Sequence, residues 1–171
     1  MKRAFTLIEL LIVVAIIAIM TVAVGRLMSS TYRAAGAGHF EQIVFQEGRQ
    51  VYAALVRDVT RAEASIAQFK DFASGENTLI LKMANSTQNN APEFVVYHVK
   101  DERPVRTVFR KGAANPVNHT LTELPGRMEF KRRENMMHVR VAVRGKKYRE
   151  EFVFDEATEF YLPKRMEGSE R

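Results

Sequence analysis

The N-terminal apolar run is the feature that most constrains this chain. The sequence opens MKRAFTLIELLIVVAIIAIM, and from Phe5 to Val24 every residue is apolar or small except Thr6, Thr21 and Glu9. A helix of about 20 apolar residues spans the hydrocarbon core of a bilayer, so this segment is long enough to cross a membrane. Because a carboxylate in a bilayer is costly and calls for a cationic partner, Glu9 needs a specific explanation.

Two ordinary interpretations account for the hydropathy of the segment but not for Glu9. A secretory signal peptide has a basic start, an apolar stretch of roughly 7–15 residues and a small-residue cleavage site, for which Ala23-Val24-Gly25 is a candidate. A single-pass anchor would keep its start in the cytoplasm through Lys2 and Arg3, by the positive-inside rule. Neither interpretation provides a cation for the carboxylate.

A third interpretation supplies that cation. The basic leader MKRA is followed by FTLIEL and a long uncharged stretch, and this arrangement resembles the prepilin-type signal of type IV pilins and pseudopilins. The resemblance implies that a prepilin peptidase recognises Lys2 and Arg3, cuts between Ala4 and Phe5, and methylates the new amino group of Phe5. It also implies that Glu9 neutralises the terminal amine of a neighbouring subunit during assembly.

The spacing of this motif is compatible with that role, although two positions depart from the family pattern. Phe5 and Glu9 are four residues apart, so they lie on one side of a helix near its N-terminus. The residue before the cut is Ala4, where the family usually has glycine. The proline that often kinks the pilin helix in the mid-twenties is absent, and Gly25 and Arg26 stand there.

Beyond residue 28 the apolar pattern becomes amphipathic. Apolar side chains recur at three-, four- and seven-residue spacing, which predicts one buried stripe of a helix over residues 29–73. The stripe consists of Phe40, Val44, Val51, Leu55, Val59, Ala62, Ile66 and Phe69. Gly36 and Gly38 each weaken a helix by about 1 kcal/mol relative to alanine, so the sequence leaves open whether the helix continues through residues 29–39.

After about residue 74 the pattern changes to short strands rich in β-branched and aromatic residues. Six are predicted, at residues 78–83, 93–99, 105–110, 127–132, 138–144 and 148–154. Gly145-Lys146 predicts a tight hairpin turn between the last two. A helix followed by strands favours an α+β fold, and we expect an antiparallel sheet. Residues 163–171 have almost no apolar content and are predicted to be a disordered polar tail.

The predicted organisation therefore has five parts. These are a leader at 1–4, a transmembrane and assembly helix at 5–28, an amphipathic helix at 29–73, a β-rich domain at 74–162 and the polar tail at 163–171. The resemblance to pilins implies the same arrangement, with a long N-terminal helix packed on a C-terminal antiparallel sheet.

A second, looser resemblance concerns the middle of the chain. The stretch LVRDVTRA from Leu55 to Ala62, followed by TLIL and VVYHV, is similar to the minor pseudopilin J of type II secretion and to PilW-like minor pilins. It implies a structural minor subunit that is assembled through its N-terminal helix at a filament tip, where it initiates assembly for protein secretion. The alternatives are a type IV minor pilin for adhesion, motility or DNA uptake, and a soluble envelope binding module released by an ordinary signal peptidase.

Composition argues against catalysis and gives little support to nucleic-acid binding. The chain has no cysteine, which removes thiol nucleophiles and Cys-ligated zinc, and His39, His98, His119 and His138 show no metal-binding spacing. The net charge is +6, and the cluster RMEFKRRE beginning at Arg127 is better explained as a solvated strand edge. We predict no enzyme activity, no metal and no cofactor.

The resemblance also implies a location and a set of partners. The chain would be a single-pass protein of the bacterial inner membrane whose C-terminal domain lies in the periplasm, and it would be incorporated into a pilus or pseudopilus. Its implied partners are the prepilin peptidase, other major and minor pilins or pseudopilins, the inner-membrane assembly platform and membrane lipid.

Overall fold

The computed structural model describes residues 7–84, 91–133 and 135–161, and the backbone alone of 165–170. The chain forms two compact units, an N-terminal unit of residues 1–40 and a C-terminal unit of residues 41–171. The first element is a single helix, α1, which begins at Leu7 and ends at Arg61. Antiparallel sheets follow it, so the predicted α+β, pilin-like architecture is confirmed.

The helix is not interrupted in the segment that the sequence left open. Residues 29–39 are helical throughout, including Gly36 and Gly38. Among the described residues of α1, five hydroxyl side chains donate to backbone carbonyls three or four residues earlier. Those near the predicted weak segment are Ser29 to Arg26, Ser30 to Leu27 and Thr31 to Leu27. These bonds satisfy the hydroxyl groups within the helix itself.

The predicted extent of the amphipathic helix is wrong beyond Arg61. Residues Ala62–Phe69 form strand β1 and Phe72–Ala73 form strand β2. The spacing of Ala62, Ile66 and Phe69 suits a helical stripe, but β1 pairs with another strand and buries three consecutive residues, Ala64 to Ile66. Short apolar segments fit both periodicities, and here sheet pairing overrides the helical pattern.

The larger sheet contains most of the strands in the described residues. In addition to β1 and β2 it includes β3 (Leu79–Met83), β4 (Pro92–Lys100), β5 (Arg103–Arg110), β6 (Val117–Thr120) and β10 (Arg165–Glu170). Their order is β10-β1-β3-β4-β5-β6, with β2 paired to β1. The strands predicted at 78–83, 93–99 and 105–110 are confirmed as β3, β4 and β5.

The predicted disordered tail is wrong for residues 165–170. These residues form β10, which pairs in parallel with β1, with Ser65 opposite Arg165 and Phe69 opposite Glu170. The expectation of a purely antiparallel sheet is therefore also wrong for this pair. Main-chain N–H and C=O groups pair irrespective of side-chain polarity, so a polar segment can cover an exposed strand edge.

A second sheet of three strands follows β6 in the chain. It consists of β7 (Gly126–Arg133), β8 (Met136–Lys147) and β9 (Glu150–Tyr161), in that order and antiparallel. The predicted strands at 127–132 and 138–144 are confirmed. Buried side chains of this sheet include Met128, Phe130, Met137, Val139, Val141, Val143 and Phe154.

The predicted turn at Gly145-Lys146 is wrong. Strand β8 continues to Lys147, which pairs with Glu150, and the turn is formed by Tyr148 and Arg149. Both turn residues have positive φ, at 53° and 75°, as a two-residue type I′ hairpin requires. The longer register places Lys147 opposite Glu150 and Lys146 opposite Glu151, and such opposite-charge pairs across strands are favourable.

One face of the larger sheet carries an aromatic cluster. Phe69 stacks on Phe94 with ring centroids 4.1 Å apart, and it meets Phe109 edge-on at 5.0 Å. Ile66, Ile80 and Val96 belong to the same buried group. The two residues that sequence reasoning placed on a helix, Ile66 and Phe69, therefore serve this sheet core instead.

Candidate assembly segment and its anchoring

Most of the predicted processing residues lie outside the described part of the chain. Lys2, Arg3, Ala4 and Phe5 precede Leu7, where the described residues begin. Glu9 is described, and it lies in the first turn of α1 with an exposed side chain. An acidic side chain in the first turn interacts favourably with the positive end of the helix dipole.

The helix that follows Glu9 is apolar on every side and exposed on every side. An 18-residue window of α1 has a mean hydropathy of 3.0, and none of it is buried within the chain. Large side chains such as Leu7 at 79% and Ile19 at 71% are fully accessible. A helix that is apolar all round requires an apolar environment, and by length and composition this one can cross a membrane. Its covering must come from lipid or other subunits.

The polar residue inside this apolar stretch is satisfied locally. Thr21 donates its hydroxyl hydrogen to the carbonyl of Ile17 at 2.8 Å. Because the bond stays within the helix, Thr21 needs no partner from another chain. Glu9 differs from Thr21 in kind, because a carboxylate has no hydrogen to donate to a carbonyl. Thr21 and Glu9 are therefore not equivalent.

In the C-terminal unit the last five turns of α1 present the predicted stripe to the interior. Val44, Val51, Leu55 and Val59 are buried, which confirms these four positions. Gly48 lies in the same stripe and is also buried. A Cβ atom at Gly48 would lie 2.7 Å from the Cβ of Phe154 on β9, and nearer still to its ring. Glycine is therefore needed here for close packing.

Phe154 also contacts the helix one turn earlier. Its ring meets that of Phe45 edge-on, with centroids 6.0 Å apart and an interplanar angle of 89°. Aromatic pairs favour this edge-to-face arrangement. Phe154 is 1% exposed, so β9 is fixed to α1 by one large buried side chain that fits over a glycine.

A buried ionic network joins the end of α1 to the larger sheet. Asp58 is 3% exposed, and its Oδ2 atom accepts hydrogen bonds from the hydroxyl of Tyr97 at 2.7 Å and from Nε of Arg106 at 2.5 Å. Tyr97 and Arg106 are directly opposite each other on β4 and β5. A buried charge is tolerated when it is paired and hydrogen-bonded, and Asp58 meets both conditions.

The surroundings of this network shift the pKa of two of its groups. Burial and the adjacent Asp58 carboxylate raise the pKa of Tyr97 well above its ordinary value, so the phenol stays protonated as a donor. Burial alone would lower the pKa of Arg106, but the bonds to Asp58 outweigh burial and raise it. Tyr97 is therefore held as a neutral phenol and Arg106 as a guanidinium cation.

A second polar chain runs across β4, β5 and β6. Nε2 of His98 lies 3.1 Å from Oγ1 of Thr107, and that hydroxyl donates to Oδ1 of Asn118 at 2.8 Å. Since the Thr107 hydrogen is given to Asn118, the His98 nitrogen must donate to Thr107. Burial, followed by the charge of Lys100, lowers the pKa of His98. His98 is therefore part of a hydrogen-bonded chain within the sheet.

The basic cluster at β7 divides between two faces. Arg127, Lys131 and Arg133 alternate along the strand on its exposed side, whereas the guanidinium of Arg132 donates to the hydroxyl of the buried Ser65. On the neighbouring strands Arg140 makes two hydrogen bonds to Asp155, at 2.9 and 2.6 Å.

In the part of the chain that the structure describes, no group of three or more histidine, aspartate or glutamate residues could hold a metal ion.

Sequence reasoning assigned no role to Gly48, Asp58 or Phe154. Asp58 could have been noticed in the sequence, because it directly precedes Val59 of the apolar stripe. A charged residue next to that stripe is expected to be partly buried and therefore to need a partner. Gly48 also falls in the stripe, midway between Val44 and Val51. What the sequence does not contain is the partner of each residue, since Tyr97, Arg106 and Phe154 come from distant strands.

The N-terminal segment is the part of the chain that matches a known family model. Residues 1–25 match the family described as the prokaryotic N-terminal methylation motif. The chain carries the N-terminal motif of type IV pilins and pseudopilins. Pilins are structural proteins rather than catalysts, and the motif implies processing by a prepilin peptidase and assembly with other pilins. The apolar helix is consistent with membrane anchoring. Comparisons with curated proteins and with solved structures gave no match.

Proposed function

We propose that this pilin-like protein is a minor subunit of a type II secretion pseudopilus or a type IV pilus. In this account the peptidase cuts between Ala4 and Phe5, Phe5 becomes the methylated N-terminus, and the subunit is assembled through α1 at the filament tip to initiate assembly for protein secretion. The observation that carries the proposal is the methylation motif, which includes the start of an apolar helix that its own chain does not bury.

Glu9 has a specific role in this account. The amine of a methylated Phe5 would be a cation at the N-terminus of the mature chain, and the carboxylate of Glu9, four residues later in the sequence, can pair with the amine of a neighbouring subunit. Removal of one partner of a charge pair in an apolar environment is strongly destabilising, because the other charge is left unpaired. The carboxylate therefore acts in assembly and is not needed for cleavage.

This role is tested with Glu9→Gln and Glu9→Ala in cells that contain a prepilin peptidase and the assembly machinery. Both variants should be cleaved and methylated normally, and both should be strongly depleted from sheared filaments. The matched control is Glu41→Gln, an exposed carboxylate further along the same helix, which should assemble normally. Normal assembly of the Glu9 variants would contradict the proposal.

A DNA-binding minor pilin is the second candidate, and the exposed alternation of Arg127, Lys131 and Arg133 on β7 favours it. Contacts between such side chains and phosphates make affinity fall steeply as salt rises. A triple Arg127→Gln, Lys131→Gln, Arg133→Gln variant should then lose DNA binding. Absence of DNA affinity in the unmodified protein, or an affinity insensitive to salt, excludes this candidate. A soluble envelope module would instead have a mature N-terminus near Gly25.

A further inference from the structure

Two arginines follow the apolar stretch on one side of α1. Arg26 comes directly after Gly25, and Arg33 follows seven residues later, which is about two helical turns. The two residues therefore lie on the same side of the helix, and both are exposed. No acidic residue occurs between Glu9 and Glu41. Neither guanidinium thus has a carboxylate within two turns along the helix.

The length of the helix places these arginines at a membrane boundary. Residues 7–25 form about 28 Å of helix at 1.5 Å per residue, close to the hydrocarbon thickness of about 30 Å. When that stretch occupies the hydrocarbon core, Arg26 stands at its outer boundary. Arg33 stands about 10 Å further along the axis.

The direction of helical side chains brings both arginines towards the lipid headgroups. Side chains on a helix lean towards its N-terminus, and here the N-terminus is the membrane side. The long Arg33 side chain therefore extends back towards the headgroup layer, while Arg26 at the boundary can extend its charge outwards. Tyr32 lies next to Arg33 and is 70% exposed, and tyrosine is enriched at membrane–water interfaces.

We propose that Arg26 and Arg33 bind the phosphate groups of anionic lipids in the non-cytoplasmic leaflet and so fix the depth of α1 in the membrane. Guanidinium groups pair with phosphate oxygens through two parallel hydrogen bonds. We assign lipid rather than an acidic protein as the partner, because the two arginines directly follow the apolar span and lie at the level of the headgroups. The proposal rests on the proposed function, in which the helix is retained as a membrane anchor.

Leader removal gives these arginines a distinct role. Lys2 and Arg3 are lost on cleavage at Ala4, so Arg26 and Arg33 become the first basic residues of the chain. Their position on the non-cytoplasmic side is opposite to the positive-inside preference. They therefore do not set the orientation of the helix. A function as phosphate ligands explains why basic residues are present on that side.

The test uses the processed chain, purified from cells that contain a prepilin peptidase and reconstituted in lipid vesicles, with one fluorescent reporter. The sequence contains no tryptophan, so Met28→Trp introduces a unique probe two residues after Arg26, at an exposed position. Phospholipids brominated at a shallow chain position quench tryptophan on contact. Quenching is compared between brominated phosphatidylglycerol and brominated phosphatidylcholine, in mixtures of constant overall composition, at low and at high salt.

We expect phosphatidylglycerol to be preferred at the probe, and the preference to fall about five-fold for each arginine replaced by glutamine. The control Arg49→Gln removes an exposed arginine of the same helix far beyond the span and should leave the preference unchanged. Equal quenching by the two lipids, or an equal effect of Arg49→Gln, overturns the proposal. Insertion with correct N-terminal processing but no lipid preference would overturn this inference alone and leave the proposed function intact.

Discussion

Asp58 and Arg106 are joined inside the C-terminal unit by a bond of 2.5 Å between Nε of Arg106 and Oδ2 of Asp58. The aspartate lies in the last turn of α1, which ends at Arg61, and the arginine lies in the middle of β5. Tyr97 on β4 bonds the same oxygen. One carboxylate oxygen therefore joins a helix to two neighbouring strands, and it fixes how the helix end is seated on the sheet.

Removal of this carboxylate should be strongly destabilising. Asp58→Ala leaves the guanidinium of Arg106 in a largely buried site without a counter-charge, and breaking a buried pair in this way costs about 3–5 kcal/mol. The measurement is thermal unfolding of the full-length protein in detergent, followed by near-ultraviolet circular dichroism. The matched control is Asp155→Asn, because Asp155 makes a two-bond pair with Arg140 at an exposed site, where pairs contribute little. An equal fall in unfolding temperature for both variants would contradict the claim that the buried pair contributes more stability than the exposed one.

Replacement of Gly48 should destabilise the protein because a side chain at this position would collide with Phe154, and not because the backbone there needs a conformation that only glycine adopts. Gly48→Ala improves intrinsic helix propensity, yet its Cβ would overlap Phe154, and overpacking costs about 1–3 kcal/mol. We therefore expect a lower unfolding temperature. Gly38→Ala is the control, since a Cβ there meets nothing within 4 Å, and it should be neutral or mildly stabilising. The double variant Gly48→Ala, Phe154→Leu should recover part of the loss; no difference between Gly48→Ala and Gly38→Ala would contradict the packing argument.

Acidification should weaken the protein through His98. Folding lowers the pKa of this imidazole, so below its ordinary value of about 6.5 the unfolded chain binds more protons than the folded one. Stability is then present above that pH and is lost as pH falls. The unfolding temperature should drop more between pH 7.5 and 5 in the parent than in His98→Gln. Identical profiles for the parent and His98→Gln would count against this assignment.

The C-terminal strand should protect the edge of β1. Deletion of residues 165–171 removes the parallel partner of Ser65 to Phe69, and a strand edge without a partner exchanges its amide hydrogens faster. Hydrogen–deuterium exchange monitored by mass spectrometry should show faster exchange in the peptide containing β1. The peptide containing β7, whose pairing with β8 is unaffected, should remain unchanged. Unaltered exchange in β1 would mean that β10 does not cover this edge.

Local patterning predicted the long helix and most of the strands, but it was wrong beyond the end of the helix, at the hairpin turn and in the C-terminal tail. The apolar run, the stripe from Val44 to Val59 and the alternation of Val139, Val141 and Val143 are periodic signals, and the structure confirms them. Ile66 and Phe69 fit a helix and a strand equally well, so only pairing with β3 and β10 decides their state. The hairpin turn was misplaced because glycine is the stronger local signal, whereas the register of β8 and β9 is a property of both strands.

The N-terminal motif can be recognised from the sequence, whereas the roles of Asp58 and Gly48 cannot. The methylation motif consists of residues that are adjacent in the chain, so it can be recognised directly from the sequence. The role of Asp58 depends on Tyr97 and Arg106, which lie 39 and 48 positions further along the chain. The role of Gly48 depends on Phe154. Contacts of this kind appear only when the fold is known.

The most direct measurement of the central claim is the identity of the mature N-terminus. The protein would be purified from membranes of cells that contain a prepilin peptidase, and its intact mass and N-terminal sequence determined, with a peptidase-deficient strain as control. We expect a chain that begins at N-methylated Phe5, lacks residues 1–4 and retains the whole apolar helix, and an uncleaved chain in the control. A mature chain that begins near Gly25 in both strains would contradict the account.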